Sequence, residues 1–213
     1  MQTVQTVTLE DVIALVVPPT SGGYLRLLSG DVERFFQPLG SRWSGLPGQP
    51  DGVDAFCTAH NADTGVSPIV WMRPVTGSPM RACSCLWVVR RYALAAQQRH
   101  EPRSRVLDGD RERTLDALAG SPHTGFSPSV IIDGGDHAVA LWRIEPAIGD
   151  VAQLQKALDT LSRVFRSERV DPVEALIPVP GTRCTRVYPA VTVRVVAFEP
   201  TRVYPVTLDR LVS

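Results

Sequence analysis

The sequence predicts an α+β fold in which helices flank a mixed or antiparallel sheet. Short runs rich in β-branched and aromatic residues recur between turn-forming residues, which is typical of strands. One long segment instead carries apolar residues three and four positions apart and indicates an amphipathic helix, at Val151, Leu154, Leu158, Leu161 and Phe165. Because no linker divides the chain, we expect a single domain over residues 1–213, with a core at 53–196 and an N-terminal helical and loop appendage at 1–50.

The composition is that of a folded protein without an overall charge bias. Of the 213 residues, 44% are hydrophobic and the formal net charge is zero, which excludes a disordered tail protein. The first residues lack a basic signal region, and the apolar run at 13–17 is far shorter than the ~20 residues of a membrane span. We therefore expect a cytoplasmic protein with no membrane association. Locally, residues 81–113 hold eight Arg against four acidic residues, a stretch that either forms a solvated surface or faces phosphate.

In the first half of the chain, the pattern predicts two short helices followed by strands. Thr8 is placed to cap a helix over residues 9–17. A second short helix is expected to begin at Asp31, with an inward face made by Val32, Phe35 and Phe36. Residues 41–52 are rich in Gly, Pro and Ser and predict a loop. Strands are expected at residues 53–58, 68–72 and 83–89.

In the second half, the pattern predicts a hairpin between two helices. Asp110 is placed to cap a helix that runs through Leu118. Residues 130–132 and 138–144 flank an Asp-Gly-Gly-Asp sequence, a combination typical of a β-hairpin. The long amphipathic helix follows. Near the C-terminus, Thr-Arg-Val-Tyr-Pro recurs after sixteen residues, and the prolines predict two strands at a sheet edge with residues 191–196 between them.

Four cysteines bear on the question of a zinc site. Cys57 and His60, three positions apart, would supply four zinc ligands together with Cys83 and Cys85. The single residue between Cys83 and Cys85 is, however, a tighter spacing than zinc sites ordinarily use. The cysteines also do not resemble the disulfide framework of a secreted protein. We therefore favour buried free thiols over a zinc site.

The order of parts between residues 127 and 184 points to a known family. These parts are Pro128-Ser129 at a strand start, Gly134-Gly135, the aromatic strand Leu141-Trp142-Arg143, the amphipathic helix, Asp171 and Pro180-Gly181-Thr182. The order resembles that of the archaeo-eukaryotic primase superfamily, in particular the RepB-like and primase-polymerase domains of plasmids, phages and other mobile elements. The resemblance covers roughly residues 53–184 and implies an RRM-like primase-polymerase core.

The first block of the family pattern is a strand that ends in Asp-x-Asp, whose carboxylates hold the divalent ions of the polymerase reaction. The matching strand here places Val89 and Arg91 on the two carboxylate positions. A guanidinium does not coordinate Mg²⁺, and at ~4 Å and an effective dielectric of ~20 it would repel each unit of positive charge by ~4 kcal/mol. We therefore expect no metal site and no cofactor, with Mg²⁺ or Mn²⁺ needed only if the protein is active. Arg90 and Arg91 either contact phosphate or close a strand at the surface.

The second block of the family is a turn of the Ser-x-Gly-x-x-His type that contacts nucleotide phosphates. Alignment on the aromatic strand places the family His on Val139, whereas alignment on the glycine pair brings His137 to the site. Because strand residues two apart share a face, His137 points the same way in either register. His137 is therefore a candidate catalytic or phosphate-contacting residue, and the alternative is a plain hairpin residue. Asp133 and Asp136 are interpreted as turn residues.

The third block is the best preserved. Asp171 stands where the family has its third carboxylate, which makes it a candidate catalytic residue. The loop usually reads Arg-x-Pro-Gly-Thr-x-Asn, and here Pro178 and Cys184 replace the Arg and the Asn. The sequence also contains a literal Asp-x-Asp at residues 108–110, but its position just before a helix favours a capping role for Asp110.

These features predict a primase-polymerase-like nucleic-acid-binding domain of a plasmid- or phage-type replication protein, either catalytically degenerate or an accessory subunit. The expected partners are DNA or RNA and a catalytic replication protein such as a helicase or a primase subunit. The side chains expected to contact nucleic acid or nucleotide are Arg90, Arg91, Arg143 and Arg183. Two alternatives remain open. One is an active DNA primase or polymerase with an unorthodox metal site at Asp171, and the other is an unrelated α+β interaction or scaffold protein.

Overall fold

A computed structural model describes residues 7–16, 25–39, 42–45, 52–61, 71–73, 83–97, 101–120, 126–172 and 174–205. Within these segments the helices are α1 (Leu9–Val16), α2 (Val53–Asn61), α3 (Asp110–Ala119) and α4 (Val151–Val164). The strands are β1 (Leu25–Ser29), β2 (Val32–Leu39), β3 (Arg42–Gly45), β4 (Trp71–Arg73), β5 (Cys83–Arg91), β6 (Val130–Asp133), β7 (His137–Ile148), β8 (Ile177–Pro178), β9 (Arg183–Cys184), β10 (Val191–Thr192), β11 (Arg194–Phe198) and β12 (Val203–Pro205).

The central sheet is built around β7. On one side the strand order is β11-β6-β7, and β5 pairs with the other edge of β7. All of these pairings are antiparallel, whereas β12 runs parallel beside residues 143–145 of β7. The prediction of a mixed sheet that contains the β6–β7 hairpin and the strand near residue 85 is confirmed.

Helix α4 packs on the central sheet and is also confirmed. Its N-cap Asp150 accepts a hydrogen bond from the Gln153 N–H at 2.8 Å, so the helix starts where the sequence predicts. On the apolar face of α4, the side chains of Leu154, Leu158 and Leu161 are fully buried. At its C-terminal end Phe165 contacts the ring of Trp142, with 4.8 Å between the ring centroids. The two sheets and the helices α1 and α4 share one continuous apolar core.

A second sheet has the order β3-β2-β1-β4-β8 and corrects two predictions. The helix expected at Asp31 is instead the start of β2, because Gly30 adopts a left-handed φ of 59° and turns the chain back onto β1. Leu25 and Leu27 alternate with half-buried residues, which is the burial pattern of a strand. The loop expected over residues 41–52 contains the strand β3. Only residues 71 and 72 of the strand expected at 68–72 are described, and they lie in β4.

The prediction of a strand over residues 53–58 is wrong, because this segment forms α2. Val53, Phe56 and Cys57 are buried at helical spacing. A short apolar run has no periodicity that distinguishes the two structures, so its partners decide the outcome. Helix α1 is confirmed, and the Thr8 hydroxyl accepts from the Asp11 N–H while the Asp11 carboxylate accepts from the Thr8 N–H.

Helix α3 is confirmed, but its cap is not Asp110. The N-cap is Gly109, which has a left-handed φ of 70°. Asp110 is the first helical residue, and its carboxylate accepts a hydrogen bond from the Ala93 N–H at 2.6 Å. This bond, with a smaller contribution from Arg113, lowers the pKa of Asp110. The acid therefore ties the start of α3 to the segment that follows β5.

The C-terminal repeat does not form two equivalent strands. Its second copy contains β12, an edge strand held by a hydrogen bond from the Tyr204 hydroxyl to the Ser127 carbonyl at 2.7 Å. In the first copy, Tyr188 lies outside any strand, and its ring packs under the guanidinium of Arg105. The same tract therefore takes two conformations according to its neighbours. None of the described helices has both the length and the apolar composition needed to cross a membrane.

Candidate functional site

A cavity of about 360 Å³ opens where β5 ends and β7 begins. One wall is made by Val89, Arg91 and His137, and the other by residues 168–171 and 174–176 together with Arg186. The two walls are joined at the edge of β5, where the Glu168 N–H donates to the Val89 carbonyl at 2.9 Å. The cavity therefore brings together Arg91, His137 and Asp171, which lie in three separate blocks of the sequence.

Strand register explains why these residues meet. In the antiparallel pair of β5 and β7, Arg91 lies directly opposite His137, and Val89 lies opposite Val139. Residues that are directly paired, and residues two apart on a strand, share a face of the sheet. Of the two positions that the sequence left open for the family His, His137 is the one that lines the cavity.

His137 is buried and is held by its neighbour in the chain. Its Nδ1 lies 2.5 Å from Oδ1 of Asp136, and Oδ2 of Asp136 lies 3.5 Å from the guanidinium of Arg186. The glycine pair makes this arrangement possible. A Cβ at Gly134 would lie 2.7 Å from Cε1 of His137 and 3.1 Å from Cγ of Pro178, so a larger residue would displace the imidazole. The hairpin turn therefore positions the ring.

Asp136 is more than the turn residue that the sequence indicated. Burial on its own would raise its pKa, but the hydrogen bond and charge of His137 and the charge of Arg186 outweigh burial and lower the pKa. The thiol of Cys184 lies 3.9 Å from the same carboxylate. Cys184, which stands in place of the family Asn, therefore keeps a weak contact to this site.

The lowered pKa of Asp136 predicts acid sensitivity that depends on this residue. Because its folded pKa lies below the unfolded value, its contribution to stability is full above about pH 4 and is lost as the pH falls through the folded pKa. We expect Asp136→Asn to be less stable than the wild type at pH 7, with a difference that shrinks on acidification. Urea denaturation between pH 3 and pH 7 measures both curves. Parallel curves for the two proteins would contradict the assignment.

A second buried carboxylate, Asp133, holds the base of the hairpin. Its side chain is 2% exposed and accepts hydrogen bonds from the Tyr92 hydroxyl at 3.0 Å and the Gly135 N–H at 3.1 Å. The guanidinium groups of Arg194 and Arg111 lie 3.2 Å and 3.7 Å from Oδ2. Burial, and then the nearby charge of Asp133, raise the pKa of Tyr92. The bond to Gly135 fits the predicted turn role, but the ion pairs were not foreseen.

Arg91 and Asp171 both keep contacts within the protein. The Nε of Arg91 lies 2.6 Å from Oε1 of Glu168, in a pair whose side chains are 65% and 44% exposed. Exposed pairs of this kind contribute at most about 1 kcal/mol, so the guanidinium can exchange one anion for another at little cost. The Asp171 carboxylate accepts a hydrogen bond from the Glu174 N–H at 3.2 Å and so also caps a turn.

The residues of the cavity do not fit a two-ion catalytic centre. The positions that the resemblance assigns to two carboxylates hold Val89 and Arg91, and the structure places both of them on the cavity wall. Among the described residues, no three His, Cys, Asp or Glu side chains come together in a way that suits a metal ion. Any cation here would meet a guanidinium, which does not act as a ligand.

The cysteines and His60 are engaged elsewhere. The Cys83 thiol donates to the Cys85 carbonyl at 3.0 Å, and the Cys85 thiol lies 4.0 Å from the Val16 carbonyl. The ring of His60 packs against Phe56, with 4.3 Å between centroids. Burial and then the charge of Asp54 raise the pKa of Cys57 to about 12, which keeps it a protonated thiol. All four cysteines are free and buried.

Three of the predicted nucleic-acid contacts lie away from the cavity. Arg90 is on the opposite face of β5 from Arg91. Arg143 pairs with Cys85, which precedes Arg91 by six positions in β5 and so lies roughly 20 Å from it, and the Arg143 guanidinium donates to the Pro200 carbonyl. Arg183 is exposed in β9. Arg90, Arg91 and Arg143 therefore do not line a common cavity.

The Pro-Gly-Thr loop lies on a different cavity, of about 440 Å³, beside Cys57. Gly181 has a left-handed φ of 84°, and the Thr182 hydroxyl donates to the Val179 carbonyl at 2.6 Å. The loop thus keeps its shape through internal hydrogen bonds.

The cavity at the end of β5 also contains two arginines that the sequence did not indicate, Arg169 and Arg186. Neither belongs to a block of the family pattern, so only their spatial position could reveal them.

The fold of this chain is similar to that of solved primase structures. The archaeo-eukaryotic primase (AEP) domain of the primase-polymerase from cyanophage S-2L matches with a TM-score of 0.53 and 10% sequence identity, over 89% of this chain and 91% of that one. The chain has an archaeo-eukaryotic primase fold. The predicted primase-polymerase-like architecture is thereby confirmed. A primase named RepB′ matches this primase fold with a TM-score of 0.49 and 9% identity, over 91% of this chain and 57% of that one. No protein-family model and no curated protein matches the sequence.

Proposed function

We propose that the chain is a nucleic-acid-binding domain of a plasmid- or phage-type replication protein that does not polymerise nucleotides itself. One similar solved structure is a phage primase-polymerase domain, which supports a role in replication. The observation that carries the proposal is the cavity that His137 and Asp171 share with Val89 and Arg91, the two residues at the positions that the resemblance assigns to metal-binding carboxylates. The domain would act beside a catalytic replication protein, such as a helicase or a primase subunit, on DNA or RNA.

Electrostatics supports the absence of polymerase chemistry. Two-ion catalysis needs adjacent carboxylates that bridge the metals and the triphosphate. An ion held by Asp171 would share this cavity with Arg91, and at ~4 Å from the guanidinium the repulsion would be ~4 kcal/mol per unit charge in an effective dielectric of ~20. Mg²⁺ or Mn²⁺ would therefore not be retained by this cavity, and the protein needs neither for the proposed role.

The arginines of the cavity support phosphate binding. Arg91, Arg169 and Arg186 all line the cavity, and guanidinium groups bind phosphate through two parallel hydrogen bonds. Arg91 is largely exposed and its pair with Glu168 is weak, so a phosphate can replace that carboxylate. Because the formal net charge of the chain is zero, we expect modest affinity that is best observed at low salt.

We expect no template-directed primer extension with Mg²⁺ or Mn²⁺, together with measurable binding of nucleic acid at low salt. A primer-extension assay on the purified protein tests the first part. Fluorescence anisotropy with labelled single-stranded and duplex oligonucleotides tests the second. Binding through phosphates should weaken with salt, with a log-log slope of ~0.7 to 0.9 per phosphate contacted.

The control for extension is Asp171→Ala. Robust extension by the wild type that disappears in this variant would establish an active enzyme with an unorthodox metal site. Failure of the wild type to bind any nucleic acid at low salt would instead favour an interaction or scaffold protein.

A further inference from the structure

The outer surface of α4 carries a basic concavity of about 870 Å³, which we name the α4 groove. Its charged lining residues are Lys156, Asp159, Arg163, Arg166 and Arg169. Four cations thus face one carboxylate in a chain whose formal net charge is zero. Lys156 is also the only lysine among the 22 basic residues of the sequence. The groove is therefore a local concentration of positive charge and not a general property of the surface.

The charges in the α4 groove are only partly compensated within the protein. Arg169 pairs with Asp159 at 3.1 Å, and Arg163 makes long contacts of 3.4 Å to the Asp159 carbonyl and the Thr160 hydroxyl. The side chains of Lys156 and Arg166 are exposed, and neither side chain has a hydrogen bond or ion pair with a described residue. One carboxylate already shared with Arg169 cannot neutralise them. The groove thus holds uncompensated positive charge.

The α4 groove is continuous with the cavity at the end of β5. After α4 the chain turns at Arg166, which has a left-handed φ of 49°, and the Ser167 N–H donates to the Ser162 carbonyl at 2.9 Å. This turn leads directly to Glu168, which joins the edge of β5. Arg169 lines both the groove and the cavity. A ligand that follows the groove therefore meets the cavity at Arg169, and the cavity adds Arg91 and Arg186 alongside three carboxylates.

We propose that the α4 groove binds the phosphate backbone of a single strand of nucleic acid and leads it to the cavity. This inference rests on the proposed nucleic-acid-binding function. Charge complementarity selects a polyanion, and a groove along one helix, roughly 11 Å between positions 156 and 163, accommodates one strand. Its lining contains no aromatic side chain on which a base could stack. Binding in the groove is therefore independent of sequence and steeply dependent on salt.

The test compares the full chain with Lys156→Gln/Arg166→Gln by fluorescence anisotropy on single-stranded oligonucleotides of two unrelated sequences, over a series of salt concentrations. Each lost phosphate contact lowers the log-log salt slope of a single strand by about 0.7, so we expect a decrease of about 1.4 in the double variant for both sequences. Asp159→Asn removes the single acid of the groove and should raise the affinity. Thermal unfolding of each variant checks that the fold is retained.

A matched control distinguishes the effect of the groove residues from the effect of a lower net charge. Arg34→Gln/Arg103→Gln removes two exposed cations that do not line the groove and changes the net charge by the same amount. We expect this control to keep the wild-type slope within about one contact. If the wild type binds and the groove variant keeps its slope, or the control loses as much, the inference is overturned while the proposed function stands. A wild type that binds no strand at low salt overturns the proposed function as well.

Discussion

Replacing Asp133 with Asn is expected to lower the free energy of unfolding by about 3 kcal/mol. The substitution keeps the shape of the side chain but removes the charge that faces Arg111 and Arg194 from a site that is 2% exposed. It also replaces one of two acceptor oxygens with an amide NH₂. An NH₂ at the Oδ1 position deprives both Tyr92 and Gly135 of their acceptor, and one at the Oδ2 position faces the two guanidinium groups with a donor. Urea denaturation at pH 7, analysed by linear extrapolation, measures the loss.

The matched control is Asp159→Asn. Asp159 also pairs with an arginine, but its side chain is 35% exposed and that of Arg169 is 77% exposed. We expect this variant to lose less than about 1 kcal/mol, because solvent screens the pair. Equal losses in the two variants would mean that the Asp133 network contributes no more than a surface ion pair.

We expect Trp142→Ala to lower the free energy of unfolding by about 4 kcal/mol. The side chain is fully buried between the sheet and α4, and its indole stacks on Phe126 with 5.5 Å between centroids and contacts Phe165. Its N–H donates to the Phe126 carbonyl at 3.2 Å. Alanine leaves a cavity where helix and sheet meet. Thermal and urea unfolding of the purified variant measure the effect.

A pair of conservative variants separates the hydrogen bond from packing. Trp142→Phe removes the donor to the Phe126 carbonyl, whereas Trp87→Phe removes an N–H that has no hydrogen-bond partner among the described residues. Both tryptophans are fully buried, so the loss of volume is similar. We expect Trp142→Phe to cost about 1 kcal/mol more than Trp87→Phe. The reverse order would show that packing alone determines the loss at these sites.

Asp133→Asn and Trp142→Ala both change residues of the β6–β7 hairpin, which carries the candidate site. Asp133 precedes the glycine pair, and His137 follows it at the cavity wall. Loss of stability here therefore also loosens the position of the imidazole. Any variant that changes the salt dependence of nucleic-acid binding must therefore be compared with Asp133→Asn and Trp142→Ala. This comparison distinguishes the loss of a phosphate contact from a less ordered hairpin.

The elements that the sequence predicted correctly have strong local signals. Helix α4 repeats its apolar residues over four turns and has an Asp at its N-cap, and the β6–β7 hairpin combines two apolar runs with a glycine pair. The order of these parts was sufficient to predict the primase-like fold. The resemblance assigns two family carboxylates to positions 89 and 91, and the Val and Arg that stand there are likewise visible in the sequence, because they depend on residue identity alone.

The tertiary structure decided what depends on distant partners. Residues 53–58 carry a short apolar run that suits either structure, and packing against the core made it helical. Asp133 and Asp136 have turn-forming identities, but the arginines that pair with them lie 22 to 61 positions away in the chain. The convergence of Arg91, His137 and Asp171, and the separation of Arg90 and Arg143, follow from strand register. Local periodicity determines which segments form elements, whereas register and chain reversal determine which side chains meet, and these depend on contacts that no local pattern encodes.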